Sequence, residues 1–364
     1  MNTFGNKFKI SIFGESHGEA VGVVIDGVPA GIRLDYDFIE SEMQRRAPGN
    51  AEYSTPRKEA DIPEIISGVN DHVTTGFPIT CVIKNTNTRS SDYSKVLRPS
   101  HADWTALIKY NGKADMRGGG HFSGRLTAGL VFAGAIAKQI MDEKGVEIIG
   151  RIKSIGNITD DIDLTSQGNL DKSTLEDLKE ISQKKFAALD GYTEMFLKEI
   201  AKAKEEKDSI GGVIETVVLG LPAGIGEPFF DSIESRIAAV LFSIPAVKGV
   251  EFGKGFEIAK MKGSEANDPI ALTKEKNIVS VTNNNGGILG GISNGMPIIV
   301  SAAVKPTASI GIAQKTVDPE TMQETTLTIE GRHDPCIVPR AVSVIEAGIA
   351  IVLLDFLMES DCEF

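Results

Sequence analysis

One short pattern occurs twice in this chain. Gly27-Val28-Pro29-Ala30-Gly31 is followed by Asp37-Phe38-Ile39-Glu40-Ser41, and Gly220-Leu221-Pro222-Ala223-Gly224 by Asp231-Ser232-Ile233-Glu234-Ser235. Each copy follows an apolar run that reads as a strand (21–26 and 213–219) and precedes a helical pattern, with Asp37 in the N-cap region of the first. Gly76-Phe77-Pro78-Ile79 and Gly295-Met296-Pro297-Ile298 then each open another apolar strand. A loop, a basic turn and a long apolar helix close each half. Any one match could be chance, but four in the same order imply an internal duplication. Two similar halves of strands and helices sharing one core are expected, and the repeated turn is expected to serve packing. The halves are bounded as 1–150 and 211–364, with an insertion at 151–210. Within that insertion Leu175, Leu178 and Ile181, then Met195, Phe196 and Ile200, recur at helical spacing with a solvated Glu/Lys face.

The basic turn of the first half is Met116-Arg117-Gly118-Gly119-Gly120-His121-Phe122-Ser123-Gly124-Arg125. Three consecutive glycines are entropically costly and are kept where a side chain would collide or φ must be positive. Leu126, Leu130, Val131, Ala135, Ile136 and Ile140 follow at helical spacing. A glycine turn opening a helix is an anion-site candidate, and Arg117 and Arg125 flank it. A tight turn with surface arginines is the plain alternative. The stretch 85–115 reads mostly as loop.

The net charge of −12 argues against general affinity for nucleic acid or membrane surfaces, so an anionic ligand needs a local basic cluster. Cys81, Cys336 and Cys362 are odd in number and far apart, which fits a reducing cytoplasm better than a disulfide framework. The N-terminus shows no signal-peptide pattern. The apolar stretch 341–358 carries Glu346 and Asp355 and reads as a buried core helix.

His17, His121 and His333 sit in Gly/Arg-rich turns, and His101 lies three residues after Arg98. Taken singly, each is more often structural. Their clustering with arginines favours acid–base work beside an anion, because histidine titrates near neutrality. Arg332-His333-Asp334 joins cation, ring and carboxylate before a helix, or Asp334 simply caps that helix. Lys305-Pro306-Thr307-Ala308-Ser309 is a phosphate grip or a surface loop. No P-loop, Rossmann fingerprint or HExxH occurs. Elimination or transfer chemistry run by acids, bases and an organic cofactor is the class left.

Phe13-Gly14-Glu15-Ser16-His17-Gly18, Arg98-Pro99-Ser100-His101-Ala102-Asp103, the Met116 to Gly120 turn, Gly286 to Ser293, Lys305-Pro306-Thr307 and Gly331 to Cys336 occur in this order. With them the chain resembles the chorismate synthase family over nearly its full length. The resemblance implies an α+β fold: a β-α-β sandwich of two repeated halves, antiparallel sheets around a helical core, in one large domain. It implies a lyase that converts 5-enolpyruvylshikimate 3-phosphate to chorismate with reduced FMN, NADPH entering only indirectly as a reductant, and a cytoplasmic homotetramer. It places His17, His101 and Asp334 in catalysis. Arg46, Arg98, Arg125 and Arg332 fall on the substrate, and Ser123, Ala246, Gly290, Lys305, Pro306, Thr307, Ser309 and Arg332 on FMN. This chain differs from the family pattern at Ala47, Glu52, Ser100, His121, Phe122 and Ala308. Mutual repulsion of the arginines is expected to leave loops 45–58 and 85–115 mobile without ligand. The competing readings are a flavin or anion binder without lyase activity, and a phosphatase or phosphotransferase using the same anion pocket.

Overall fold

The computed structural model describes residues 2–48, 59–86, 96–182, 184–329 and 334–360. Two five-stranded antiparallel sheets dominate it. The first contains β1 (Thr3–Phe4), β2 (Lys9–Gly14), β3 (Ala20–Asp26), β4 (Glu64–Ser67) and β5 (Ile79–Lys84), in the spatial order β1-β2-β3-β5-β4. The second contains β6 (Glu147–Ile155), β7 (Ile158–Thr159), β8 (Gly212–Leu219), β9 (Val247–Phe252) and β10 (Ile298–Val304), in the order β7-β6-β8-β10-β9. The two orders correspond strand for strand, apart from the small edge strand, which precedes its neighbour in the first half and follows it in the second.

The repeated turns link matching elements: β3 to helix α1 (Tyr36–Arg46), and β8 to a helix at Ile233–Ser243. Their opening glycines, Gly27 and Gly220, have φ of +92° and +76°. A Cβ on either would fall 1.8 Å from the Lys7 carbonyl oxygen or 2.0 Å from that of Gly145. The motif recurs because both turns pass close against backbone, as a packing role requires. Helix α1 begins one step earlier than expected. Asp35, not Asp37, is its N-cap and accepts from the Phe38 N–H.

The remaining helices are α2 (Asp103–Lys109), α3 (Thr127–Asp142), α4 (Lys172–Ser182), α5 (Asp190–Glu205), α6 (the Ile233–Ser243 helix) and α7 (Val338–Glu359), besides a single turn at Gly263–Ala266. Helix α2 falls in the stretch read as loop. It starts with Asp103, whose carboxylate suits a helix N-terminus.

Helices α3 and α7 pack on each other between the sheets, α3 against β3 and β5, α7 against β6 and β8. Fourteen of the sixteen residues of α3 are buried. Helix α7 has the length and hydropathy of a membrane span, but 94% of its apolar window is buried inside the protein. Glu346 and Asp355 within it are buried too, and each has found partners. Asp355 accepts from the backbone N–H groups of Asn6 (2.9 Å) and Phe8 (2.8 Å) and pairs with Arg236. Glu346 accepts from Arg45 (2.7 and 2.8 Å), Lys138 and the Gly150 N–H (2.8 Å), and Glu42 pairs with the same two cations at 2.6 Å. This cluster of two acids and two bases fastens α1, α3 and β6 to α7.

Candidate active site

A cleft of about 960 Å³ opens where the two halves meet. On one wall lies the triple-glycine turn. Gly118, Gly119 and Gly120 have φ of +63°, +94° and +54°, conformations that residues with a Cβ rarely adopt. The turn does not open α3 directly. A second short turn at Gly124–Leu126 intervenes, and α3 has no side-chain N-cap. What the glycines permit is contact with two histidines. A Cβ on Gly118 would lie 2.4 Å from His17 Cδ2 and 2.5 Å from Nε2. A Cβ on Gly119 would lie 3.2 Å from His101 Cε1. Adjacent bare residues thus seat the two rings.

His101 is oriented from behind. Its Nδ1 lies 2.8 Å from Asp103 Oδ1, and the same carboxylate accepts from Arg98 Nε (2.8 Å) and Nη2 (2.7 Å). Burial pushes the Asp103 carboxyl up, but hydrogen bonds and attraction from His101 and Arg98 outweigh it and hold the group well below the usual carboxylate range. With Nδ1–H committed to a carboxylate, Nε2 is the nitrogen left to work towards the cleft.

Arg46 and Arg125, from the end of α1 and the turn before α3, converge on Asp61. Arg46 Nε donates to Asp61 Oδ2 at 2.8 Å, and Arg125 Nη1 pairs with Oδ1. Both arginines are nearly fully buried. Arg340, in the first turn of α7, reaches Asp334 Oδ2 at 2.8 Å. All four described arginines of the cleft therefore carry a carboxylate partner, and the mutual repulsion expected of them is relieved. Residues 49–58 and 87–95 of the two loops expected to be mobile lie outside the described residues, as do Arg332 and His333.

The second half supplies the opposite wall. Lys305 donates to the Ser100 carbonyl (2.7 Å), and burial, together with nearby Lys248, lowers its pKa. Thr307 Oγ1 donates to the Asp334 carbonyl (3.0 Å), and Ala246, at φ +77°, accepts from the Lys305 N–H. Cys336 is no nucleophile: burial pushes its thiol up to about 12.

The family description "Chorismate synthase" matches residues 8–358. The chain belongs to the chorismate synthase family. A chorismate synthase of Dehalococcoides mccartyi is 48% identical over 364 residues, covering 99% of this chain and 97% of its own. One of Methanocaldococcus jannaschii is 47% identical over 366 residues, with the same shares. A crystal structure of chorismate synthase superimposes with a TM-score of 0.76 at 31% identity, over 98% of this chain and 93% of that one. The α+β fold agrees with that structure.

The cleft of this chorismate synthase family member gathers His17, His101, Asp334, Arg46, Arg98, Arg125, Ser123, Ala246, Lys305, Pro306, Thr307 and Ser309. Gly290 is not among its lining residues and instead turns a hairpin between Ile288–Leu289 and Ile292–Ser293. His121, at a position where the family pattern has arginine, spends both nitrogens on the N-terminal segment: Nδ1 lies 2.8 Å from the Gly14 carbonyl and Nε2 3.2 Å from Asn2 Oδ1. Arg117 points away and pairs with Asp115 on the surface. Sequence reasoning missed Asp61, Lys248, Arg340 and Glu59, a buried carboxylate of the cleft lining that accepts from Thr86 Oγ1 (2.9 Å). For Arg340 a signal existed, a cation at the start of an otherwise apolar helix. For Asp61 there was none.

Proposed function

We propose that the chain converts 5-enolpyruvylshikimate 3-phosphate to chorismate and inorganic phosphate by an anti 1,4-elimination. Membership of the chorismate synthase family supports a chorismate-forming lyase of the shikimate pathway and does not favour a binding protein without lyase activity. The observation that carries the residue-level reading is the seating of His17 and His101 on adjacent glycines in one arginine-walled cleft. Arg46, Arg98, Arg125 and Arg332 bind the phosphate and the two carboxylates. His17 protonates the departing phosphate oxygen, and Asp334 assists removal of the ring hydrogen. His101, oriented by Asp103, holds or gives a proton at the flavin.

The residues present fit reduced FMN as cofactor. The cleft volume sits at the upper end of the roughly 300–1,000 Å³ typical of small-molecule pockets. Lys305, Thr307 and Ser309 share one loop suited to a phosphate, with Ser123, Ala246 and Pro306 beside it. Reduced FMN supplies transient electron density that eases departure of phosphate with no net redox change. NADPH is read as an indirect reductant of that flavin. Arg332 completes the proposed flavin contacts.

The test is anaerobic. Protein, chemically reduced FMN and substrate are expected to yield chorismate absorbance, and omission of the reductant to abolish it. His17→Ala is expected to lower kcat by roughly 10²–10⁴-fold, the usual worth of a general acid. Bound FMN without chorismate would overturn the proposal, and phosphate release without reductant would point to phosphotransfer instead.

We also read the chain as one catalytic domain of two diverged halves with a helical insertion, assembled as a cytoplasmic homotetramer that binds neither nucleic acid nor membrane. The matching strand orders support the first point. Phe229 and Phe230, 84% and 93% exposed, support burial against other copies. Light scattering is expected to give four times the 38.9 kDa chain mass. A monomer at micromolar concentration would refute the assembly.

A further inference from the structure

The four described arginines of the cleft share three carboxylates. Asp103 holds Arg98 and Asp334 holds Arg340, but Asp61 holds two guanidiniums at once. Its side chain is fully buried, and its oxygens are divided. Oδ2 accepts from Arg46 Nε (2.8 Å) and Nη2 (2.7 Å), and Oδ1 pairs with Arg125 Nη1. Asp61 is held at φ +49°, a left-handed conformation unusual for any residue with a Cβ. Neutral groups fix the two guanidiniums further: the Gly124 carbonyl and Thr127 Oγ1 for Arg46, Asn85 Oδ1 and the Lys84 carbonyl for Arg125. An acid buried inside an anion site is paradoxical if the site's one task is to attract anions.

We infer that Asp61 is a positioning residue, an internal counter-ion that spaces Arg46 and Arg125 and offsets part of the charge they present. The inference rests on the reading that these two arginines receive the substrate's anionic groups. A carboxylate between two guanidiniums sets their separation and offsets part of their positive charge. That limits how tightly a small free anion is held. A ligand with several anionic groups spread along the cleft is less affected, because Arg98 adds to its binding. Inorganic phosphate, the second product, therefore leaves readily while the substrate is retained. Asp61 acts through the arginines and touches no reacting atom.

Inorganic phosphate is the probe, applied to the full chain at constant ionic strength so that screening does not vary. In wild type it is expected to raise the melting temperature with a measurable half-effect concentration. In Asp61→Asn that concentration is expected to fall about five- to tenfold, since the positive field of the two arginines is no longer offset by a carboxylate, while kcat falls. A purely structural role would lower the melting temperature and leave the phosphate half-effect unchanged, and that result would overturn the inference. If Asp61→Asn does not fold, Asp61→Glu decides. It keeps the charge and alters the spacing, so a wild-type phosphate response with turnover about tenfold lower is expected. Unchanged turnover in that variant would also overturn the inference. A wild type unmoved by both phosphate and substrate would overturn the reading of the two arginines and the inference with it.

Discussion

Gly118→Ala is expected to lower chorismate formation by about 10²-fold or more, the scale associated with a misplacement near 1 Å at a reacting group. The added Cβ would meet the His17 ring at 2.4–2.5 Å, well inside contact distance, and Ser16 Oγ at 3.0 Å. An alanine at φ +63° also carries about 1–2 kcal/mol of left-handed strain. Both costs are relieved by the same movement, displacement of the turn from His17. Gly119→Ala should be milder, because its Cβ reaches His101 at 3.2–3.3 Å, a distance a small ring shift accommodates. Gly124→Ala, with nothing within 4 Å, should be near silent. Steady-state kcat of the three variants with reduced FMN gives the order directly. A Gly118→Ala enzyme as fast as Gly124→Ala would show that the turn does not seat His17.

Glu346→Gln is expected to destabilise the fold by about 3–5 kcal/mol, the range for breaking a buried ion pair from one side. Glu346 is 1% exposed and takes hydrogen bonds from Arg45, Lys138 and Gly150. The amide leaves those two cations sharing Glu42 alone, an excess charge with little water to solvate it. Burial raises the Glu346 pKa, but Arg45 and Lys138 outweigh that and hold it below the ordinary glutamate range. A carboxyl depressed on folding contributes stability above its unfolded pKa of ~4.3, and that contribution is lost as the pH falls through the folded value. Urea unfolding at neutral pH should show the loss, and stability of the variant should decline less between pH 5 and pH 3 than that of wild type. Lys138→Met added to Glu346→Gln restores neutrality and is expected to recover much of the difference. Failure of the double variant to recover would mean that shape, not charge, is what the cluster supplies.

The helices that wrote themselves in apolar periodicity were legible: α3 and α7 lie within a few residues of where the spacing of Leu126 to Ile140 and of 341–358 puts them. The repeated turn was legible because the opening glycine of each copy passes close against backbone, so both copies keep it. Strand β6 was not. Arg151 interrupts its pattern, and a fully buried arginine is intelligible only once Asp160 and Glu215 are seen around it. In the cleft, histidines and glycine turns announced themselves by residue type. The carboxylates behind them did not, since an acidic residue in a polar loop looks the same whether it is solvated or clamps two arginines. The expected repulsion among the arginines counted cations and had no means of counting their partners.

The grip of Asp355 on the backbone of Asn6, Lys7 and Phe8 has a consequence for how the chain is made. The residues leading into β2 dock on a carboxylate synthesised some 350 positions later, and α3, the centre of the first half, packs against a helix ending at Glu359. At translation rates of about 5–20 residues per second, the beginning of the chain waits on the order of 20–70 s for its partner to exist. During that time the apolar face of α3 has no permanent cover. Completion of this packing therefore waits until α7 has been made, and the nascent first half is a natural client for chaperones that shield exposed helices.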